Sequence, residues 1–137
     1  MFYLKVLKPV LDCVERVPER KAFCIHKKFY TYKEFGEYIS RIREAIINTQ
    51  YDNNKVGLVI NDDIETYASI FALWLEGDCY VPLHPNWPLE RCLDICDQIE
   101  LDLILDSSKQ TRYEGHDVVR TSNLSYSESY LGAALNV

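Results

Sequence analysis

Five cysteines, three histidines and two groups of carboxylates are the residues in this chain whose types could carry chemistry. Cys92 and Cys96 are four apart, and His84 lies eight residues before Cys92, a spacing that could begin a zinc site. Zinc would need a third and a fourth ligand at compatible positions. Two thiols four apart on a helix also belong naturally to an apolar stripe, where a free cysteine behaves as a small buried hydrophobe. Packing is the reading adopted for both. Cys79 and His84 flank one short apolar stretch, so a thiol–imidazole pair would form only if the loop folded back. No nucleophile elbow accompanies them. His26 and His116 sit beside expected turns and read as solvated imidazoles. Asp62-Asp63 and the acids from Glu90 to Asp97 could do acid–base work only in a cleft that separates their pKa values. At helix starts they act as caps, because helix N-termini favour negative charge. Gly36, Gly57, Gly77, Gly115 and Gly132 are isolated from one another. Neither G-x-G-x-x-G nor the G-x-x-x-x-G-K-[ST] loop can be built from them. No residue is therefore assigned a catalytic, cofactor-binding or metal-ligating role.

The elements that would position these residues belong to one domain. The chain has 137 residues, 47% of them hydrophobic and 26% charged, the mix of a globular domain with a single core. The longest wholly apolar run, residues 70–75, is far too short for a membrane helix. Fifteen basic against twenty-one acidic residues give a net charge of −6. The cations are scattered, densest over residues 16–28, where Glu15 and Glu19 dilute them. That argues against a nucleic-acid binder. Lys5, Lys8, Pro9 and Asp12 interrupt the N-terminal apolar stretch, so it does not read as a secretory signal. An odd number of cysteines within apolar patterns, without such a signal, fits a cytoplasmic protein.

The first eight residues fit either an alternating strand or a helical face. A helix is expected from Pro9, which suits a first helical position, to about residue 17. Residues 22–26 and 29–31 read as a hairpin turning at Lys27-Lys28. Thr31-Tyr32-Lys33-Glu34 is a capping-box pattern, followed by Phe35, Tyr38, Ile39, Ile42 and Ile46 at helical spacing. Residues 56–60 form a continuous apolar run, as in a buried parallel strand. Asp62-Asp63 then cap a helix whose stripe is Ile64, Tyr67, Ala68, Phe71 and Leu75, and Gly77 suits the left-handed residue after it. Further strands are expected at 79–83, 103–105 and 117–119. A helix striped by Leu89, Cys92, Leu93, Cys96 and Ile99 lies between the first two. Strand starts about 23 residues apart suit βαβ units. The expected fold is α/β: a mainly parallel sheet flanked by helices, with a short N-terminal hairpin. Residues 1–119 would form this unit and 120–137, rich in Ser, Asn and Tyr, a linker.

The most distinctive stretch is LWLEGDCYVPLHPNWPLER, residues 73–91, where Pro82, Pro85 and Pro88 stiffen a strand–loop–helix connection. It resembles the signature of the AMP-forming adenylate-forming ligases, above all amino-acid adenylation domains and D-alanine–carrier-protein ligases, close to L-K-A-G-x-x-Y-V-P-L-D-P-x-Y-P-x-E-R. Gly77, Tyr80, Val81, Pro82, Leu83, Pro85, Pro88, Glu90 and Arg91 match it. Leu75 stands where the family has alanine, His84 where it has aspartate and Trp87 where it has tyrosine. Thr31, Tyr32 and Glu34, within Tyr30 to Phe35, are similar to the family's L-T-Y-x-E-L. Pro18 followed by Ala22-Phe23 is similar to its opening. The resemblance covers about residues 9–106.

The resemblance implies a two-step reaction. A carboxylate attacks the α-phosphate of ATP, giving an acyl-adenylate and pyrophosphate, and a thiol then takes the acyl group. It implies ATP and magnesium for the intact enzyme, and as acceptor a carrier protein's phosphopantetheine or coenzyme A. The family's phosphate loop, adenine contacts and catalytic lysine all lie beyond the matched region, so the matching residues are expected to be scaffold. This chain alone is expected to bind no cofactor and to be inactive as an N-terminal piece of the ligase. It would then expose an apolar face toward the remainder of its own chain. The P-x-W-P-x-E-R form leans toward amino-acid activation, by family analogy. The alternative is a free-standing α/β binding or interaction module, with a ligand cleft at the carboxyl ends of the strands near Asn61, Leu83 and Asp106.

Overall fold

Val56, Gly57, Leu58 and Val59 are all buried, which a strand achieves only when both of its faces are covered. The computed structural model, which describes residues 3–124 and side chains from residue 5, shows how this is done. A π-helical turn (Tyr3–Leu7) runs into α1 (Lys8–Arg16). Next come β1 (Lys21–Ile25), β2 (Lys28–Thr31) and α2 (Tyr32–Ile47). Strand β3 (Lys55–Val59), helix α3 (Ile64–Leu75), strand β4 (Cys79–Leu83) and helix α4 (Leu89–Ile99) follow. The described chain closes with β5 (Ile104–Asp106), β6 (Val118–Arg120) and a 3-10 turn (Thr121–Asn123).

Strands β1 and β2 form an antiparallel hairpin, and the other four form a parallel sheet in the order β4-β3-β5-β6. The step from β3 to β4 runs one way across the sheet and the step from β4 to β5 runs back over β3. Right-handed crossovers then place α3 and α4 on opposite faces. The packing follows the strands' two-residue alternation. Val56, Leu58, Leu103 and Leu105 join the core formed with α1, α2 and α3. Val59, Leu83 and Ile104 join Cys92 and Cys96 of α4 in a second core. Pro82 pairs opposite Leu58 on β4, at the edge of this sheet, where a strand tolerates a residue without an N–H.

The ambiguous N-terminus is helical, because Leu7, Leu11 and Val14 bury one face at helical spacing. The hairpin turns at His26-Lys27, one residue before the expected Lys27-Lys28. Both turn residues have positive φ, +51° and +67°, and Lys28 already pairs with Ile25. Two left-handed residues make the tight hairpin turn whose twist matches the strands. Histidine is enriched at such positions but lysine is not, and neither matches the Asn-Gly pair this turn prefers. Replacing them together with Asn-Gly is expected to stabilise the protein by about 1 kcal/mol, read from urea unfolding. Strand β3 begins and ends one residue before the expected 56–60, and β5 and β6 lie one residue after their expected positions. Of the expected linker from 120, Arg120 ends β6 and Thr121 is buried; residues 125–137 lie outside the described residues.

Helices α1 and α2 meet at Gly36. A Cβ there would lie 2.7 Å from Val14 Cγ1, a branched side chain with little room to turn away. Gly36→Ala would gain about 1 kcal/mol of helix propensity, yet the overlap outweighs it. A net loss of about 1–3 kcal/mol is expected. Val14→Ala in the same chain should remove much of that penalty, so urea unfolding of the double variant should show strong non-additivity.

Candidate functional site

Parallel strands deliver their following loops to one edge of the sheet, so the segments after β3, β4 and β5 gather above the same carboxyl ends. Asp63, extended at φ −148°, caps α3 by accepting the Thr66 backbone N–H at 2.9 Å. The same carboxylate accepts the Thr66 hydroxyl at 2.5 Å and the Ser107 hydroxyl at 2.5 Å. The Asn61 amide donates to the Ser107 and Ser108 hydroxyl oxygens at 2.9 and 3.1 Å. The Asp106 carboxylate accepts the Ser108 backbone N–H, and Arg120 donates to the Ser108 carbonyl. These contacts form a polar clasp that ties the β3–α3 turn to the loop after β5.

On the β4 side of the clasp lies a cleft of about 460 Å³. Ile60, Ile70 and Tyr80 give it an apolar wall, and Asn61, Asp62 and His84 give it polar groups. The Tyr67 hydroxyl donates to Asp62 Oδ1 at 2.6 Å, which pushes the phenol's pKa up, with burial adding to the effect. His26 Nε2, on the hairpin turn, lies 3.0 Å from the Asp62 carbonyl oxygen and 3.6 Å from its carboxylate. His84 Nδ1 accepts the Asn86 backbone N–H at 3.2 Å, so a neutral ring carries its proton on Nε2.

Of the sequence motifs, Tyr80 and Pro85 reach this edge and the others lie elsewhere in the fold. Thr31 and Glu34 close the reciprocal capping box: the Glu34 N–H donates to Thr31 Oγ1 at 3.2 Å and the Thr31 N–H to Glu34 Oε1 at 3.0 Å. Tyr32 opens α2, and burial raises its phenol's pKa. Gly77 ends α3 at φ +78°, where a side chain would be strained. Tyr80 and Val81 pack on opposite sides of β4. Pro85 borders the cleft, Pro88 is the residue before α4, and Glu90 lies in the helix's first turn. The Arg91 guanidinium lies 4.5 Å from the Trp87 ring centroid.

Other expected site residues are placed differently. Cys92 and Cys96 are buried in the core under α4, as the packing reading holds, and burial pushes the Cys96 thiol up. Cys79 and His84 stand at opposite ends of β4 and are not brought together. His116 is half-buried rather than solvated, its Nδ1 shut off from water and its ring edge-on to Tyr113. Asp63 caps its helix and Glu90 sits in a first turn. Asp94 and Asp97 instead fall in the middle and last turn of α4, because the helix starts at Leu89. Of the three residues expected at a carboxyl-end cleft, only Asn61 lines it. Leu83 is wholly buried against the α4 core, and the Asp106 carboxylate is buried in the clasp. Thr66, Ser107 and Ser108 were missed by sequence reasoning. The run Asp106-Ser107-Ser108 directly after a strand was their signal.

The described residues do not fit the phosphates of a nucleotide. Gly36 lies inside a helix against Val14, Gly57 lies mid-strand, and Gly77 and Gly115 are solitary left-handed residues. The N-terminus of α3 is occupied by the Asp63 carboxylate and that of α4 opens on Pro88 and Glu90, which repel an anion or withhold an N–H. Among the described residues, no cluster of three His, Cys, Asp or Glu side chains could hold a metal ion. No helix there is long and apolar enough to cross a membrane.

Comparison with known proteins adds to this geometry. The family model for AMP-binding enzymes matches residues 11–132. Zwittermicin A synthase ZmaJ of Bacillus cereus is 30% identical over 129 residues, covering 90% of this chain and 24% of that protein. A plipastatin synthase of Bacillus subtilis (strain 168) is 32% identical over 77 residues, 56% of this chain and 2% of that protein. The chain thus spans a quarter or less of these relatives' lengths. A four-domain nonribosomal peptide synthetase, solved bound to AMP and glycine, shares the fold at a TM-score of 0.78 and 22% identity. That match covers 97% of this chain and 10% of that one. The N-terminal subdomain of Klebsiella oxytoca NpsA, in complex with 3-hydroxyanthranilyl-AMSN, shares it at a TM-score of 0.67 and 18% identity, covering 85% and 31%. With the family model running from α1 past β6 and the signature segments in order along the hairpin, α2, β4 and α4, this chain belongs to the AMP-binding enzyme family.

Proposed function

We propose that this chain forms the N-terminal part of an adenylation domain, in an ATP-dependent ligase that activates an amino acid as its adenylate and passes it to a thiol. The family match over residues 11–132 carries this reading. The relatives named plipastatin synthase and Zwittermicin A synthase, together with the nonribosomal peptide synthetase solved with AMP and glycine, support the amino-acid substrate class. In this reading the described residues are scaffold. The capping box sets the start of α2, and the Pro82–Pro88 connection sets the path from β4 to α4. ATP and magnesium are held by the rest of the protein, consistent with the poor fit of the described residues to phosphate. The 137-residue chain alone is inactive. Residues 1–119 form the α/β unit and 120–137 lead toward the phosphate loop. The acceptor is a carrier protein or coenzyme A, and the protein works in the cytoplasm.

The sequence that follows Val137 in the source gene tests the proposal. A Gly/Ser/Thr-rich loop ending in Lys-Gly is expected soon after it. A stop codon directly after Val137 would overturn the reading and leave a free-standing α/β module.

A further inference from the structure

The hairpin differs in charge from the rest of the chain. Residues 20–33 hold five of the 15 lysines and arginines and none of the 21 aspartates and glutamates, in a chain of net charge −6. Arg20, Lys21, Lys27, Lys28 and Lys33 are all exposed. None of the ion pairs among the described residues engages them. Glu19 borders the stretch beside Arg20, and the acids nearest its other residues are committed elsewhere or stand behind the hairpin. Glu34 closes the α2 cap, Asp62 holds Tyr67 and His26, and Glu65 is half-buried on α3, where it feels Lys28 and Arg41. On the outer surface Phe29 is 53% exposed, and Lys21 Nζ lies 4.1 Å from its ring centroid. Its cross-strand partner Cys24 is exposed as well.

We propose that this outer face of the β1–β2 hairpin is a docking surface for an acidic protein segment. The segment would lay carboxylates against Arg20, Lys21 and Lys27 and an apolar side chain on Phe29. Cations steer an acidic partner into register, and the exposed ring supplies the desolvated anchor that holds it. Size and field choose this occupant. A five-residue strand spans about 17 Å, the footprint of a short peptide stretch. Screening confines the hairpin's positive field to about 8 Å at physiological salt. A nucleic acid or an anionic membrane would extend past it onto the acidic remainder of the chain and be repelled there. A compact acidic segment meets only the cations.

The test titrates the 137-residue chain with a fluorescein-labelled octapeptide of glutamates and aspartates around a central Leu-Phe pair. Its controls are the same peptide with the acids changed to amides, and an oligonucleotide of equal charge. Saturable binding of the acidic peptide is expected, weakening about tenfold from low to physiological salt. The combined Arg20→Gln, Lys21→Gln, Lys27→Gln variant should lose binding while its circular dichroism and urea midpoint stay unchanged. Phe29→Ala should weaken binding several-fold at every salt concentration. Equal binding of the amide peptide, or unchanged binding by the triple variant, would overturn the proposal. So would tighter binding of the oligonucleotide. Salt-sensitive self-association that the triple variant abolishes would assign the hairpin to a second copy of the chain instead.

Discussion

Changing Asp63 to alanine is expected to lower the stability of the protein by about 2–4 kcal/mol. One carboxylate serves three donors: the Thr66 N–H, the Thr66 hydroxyl and the Ser107 hydroxyl. Loss of the cap alone costs about 1 kcal/mol. The remainder comes from Thr66, which is 3% exposed and left with unpaired polar groups that water reaches poorly. Asp63→Asn keeps an acceptor for the Thr66 N–H and should lose only about half as much. Ser107→Ala removes one donor and should cost about 1 kcal/mol. Urea unfolding of the three variants checks the ordering. A loss below about 0.5 kcal/mol for Asp63→Ala would mean that the clasp between the β3 and β5 loops contributes nothing net.

Phe35→Ala should cost about 3–5 kcal/mol, a large share of the stability of a domain this size. The ring is wholly buried and meets Phe23 edge-on at 4.8 Å and Phe71 at 5.3 Å between centroids. Phe23 belongs to β1 and Phe71 to α3, so this one side chain joins the hairpin, α2 and α3. Phe35→Leu keeps much of the volume and should cost less than about 1.5 kcal/mol. If alanine proved no worse than leucine at this position, the three-way junction would not be the centre of the first core.

The parts of the fold legible in the sequence are those written by local rules. The capping box before Phe35 marks the start of α2, and β4 falls at the expected residues 79–83 because an apolar run is bounded by Asp78 and the His84-Pro85 pair. What local rules do not encode went unread. The hairpin turn uses His26 and Lys27 in place of the Asn-Gly or Asp-Gly pair that marks such a turn in a sequence, so its position is read from the strand pairing. The clasp joins Asn61 to Ser107 and Ser108 across more than forty residues of chain, a proximity that only the β3–β5 pairing creates. Leu83 and Asp106 end their strands, yet the pleat turns both side chains into the protein and away from the cleft. Tyr113 sits in a loop without periodicity and is buried all the same, because it fills the core under α4.

Amino-acid-dependent exchange of labelled pyrophosphate into ATP is the measurement that bears most directly on the role of this chain. The whole protein that carries it should exchange label with at least one amino acid in a panel of the common ones, and the 137-residue chain by itself should not. Exchange by the isolated chain would contradict its assignment as scaffold. Absence of exchange by the folded whole protein with every amino acid and simple carboxylate would contradict the adenylating function itself.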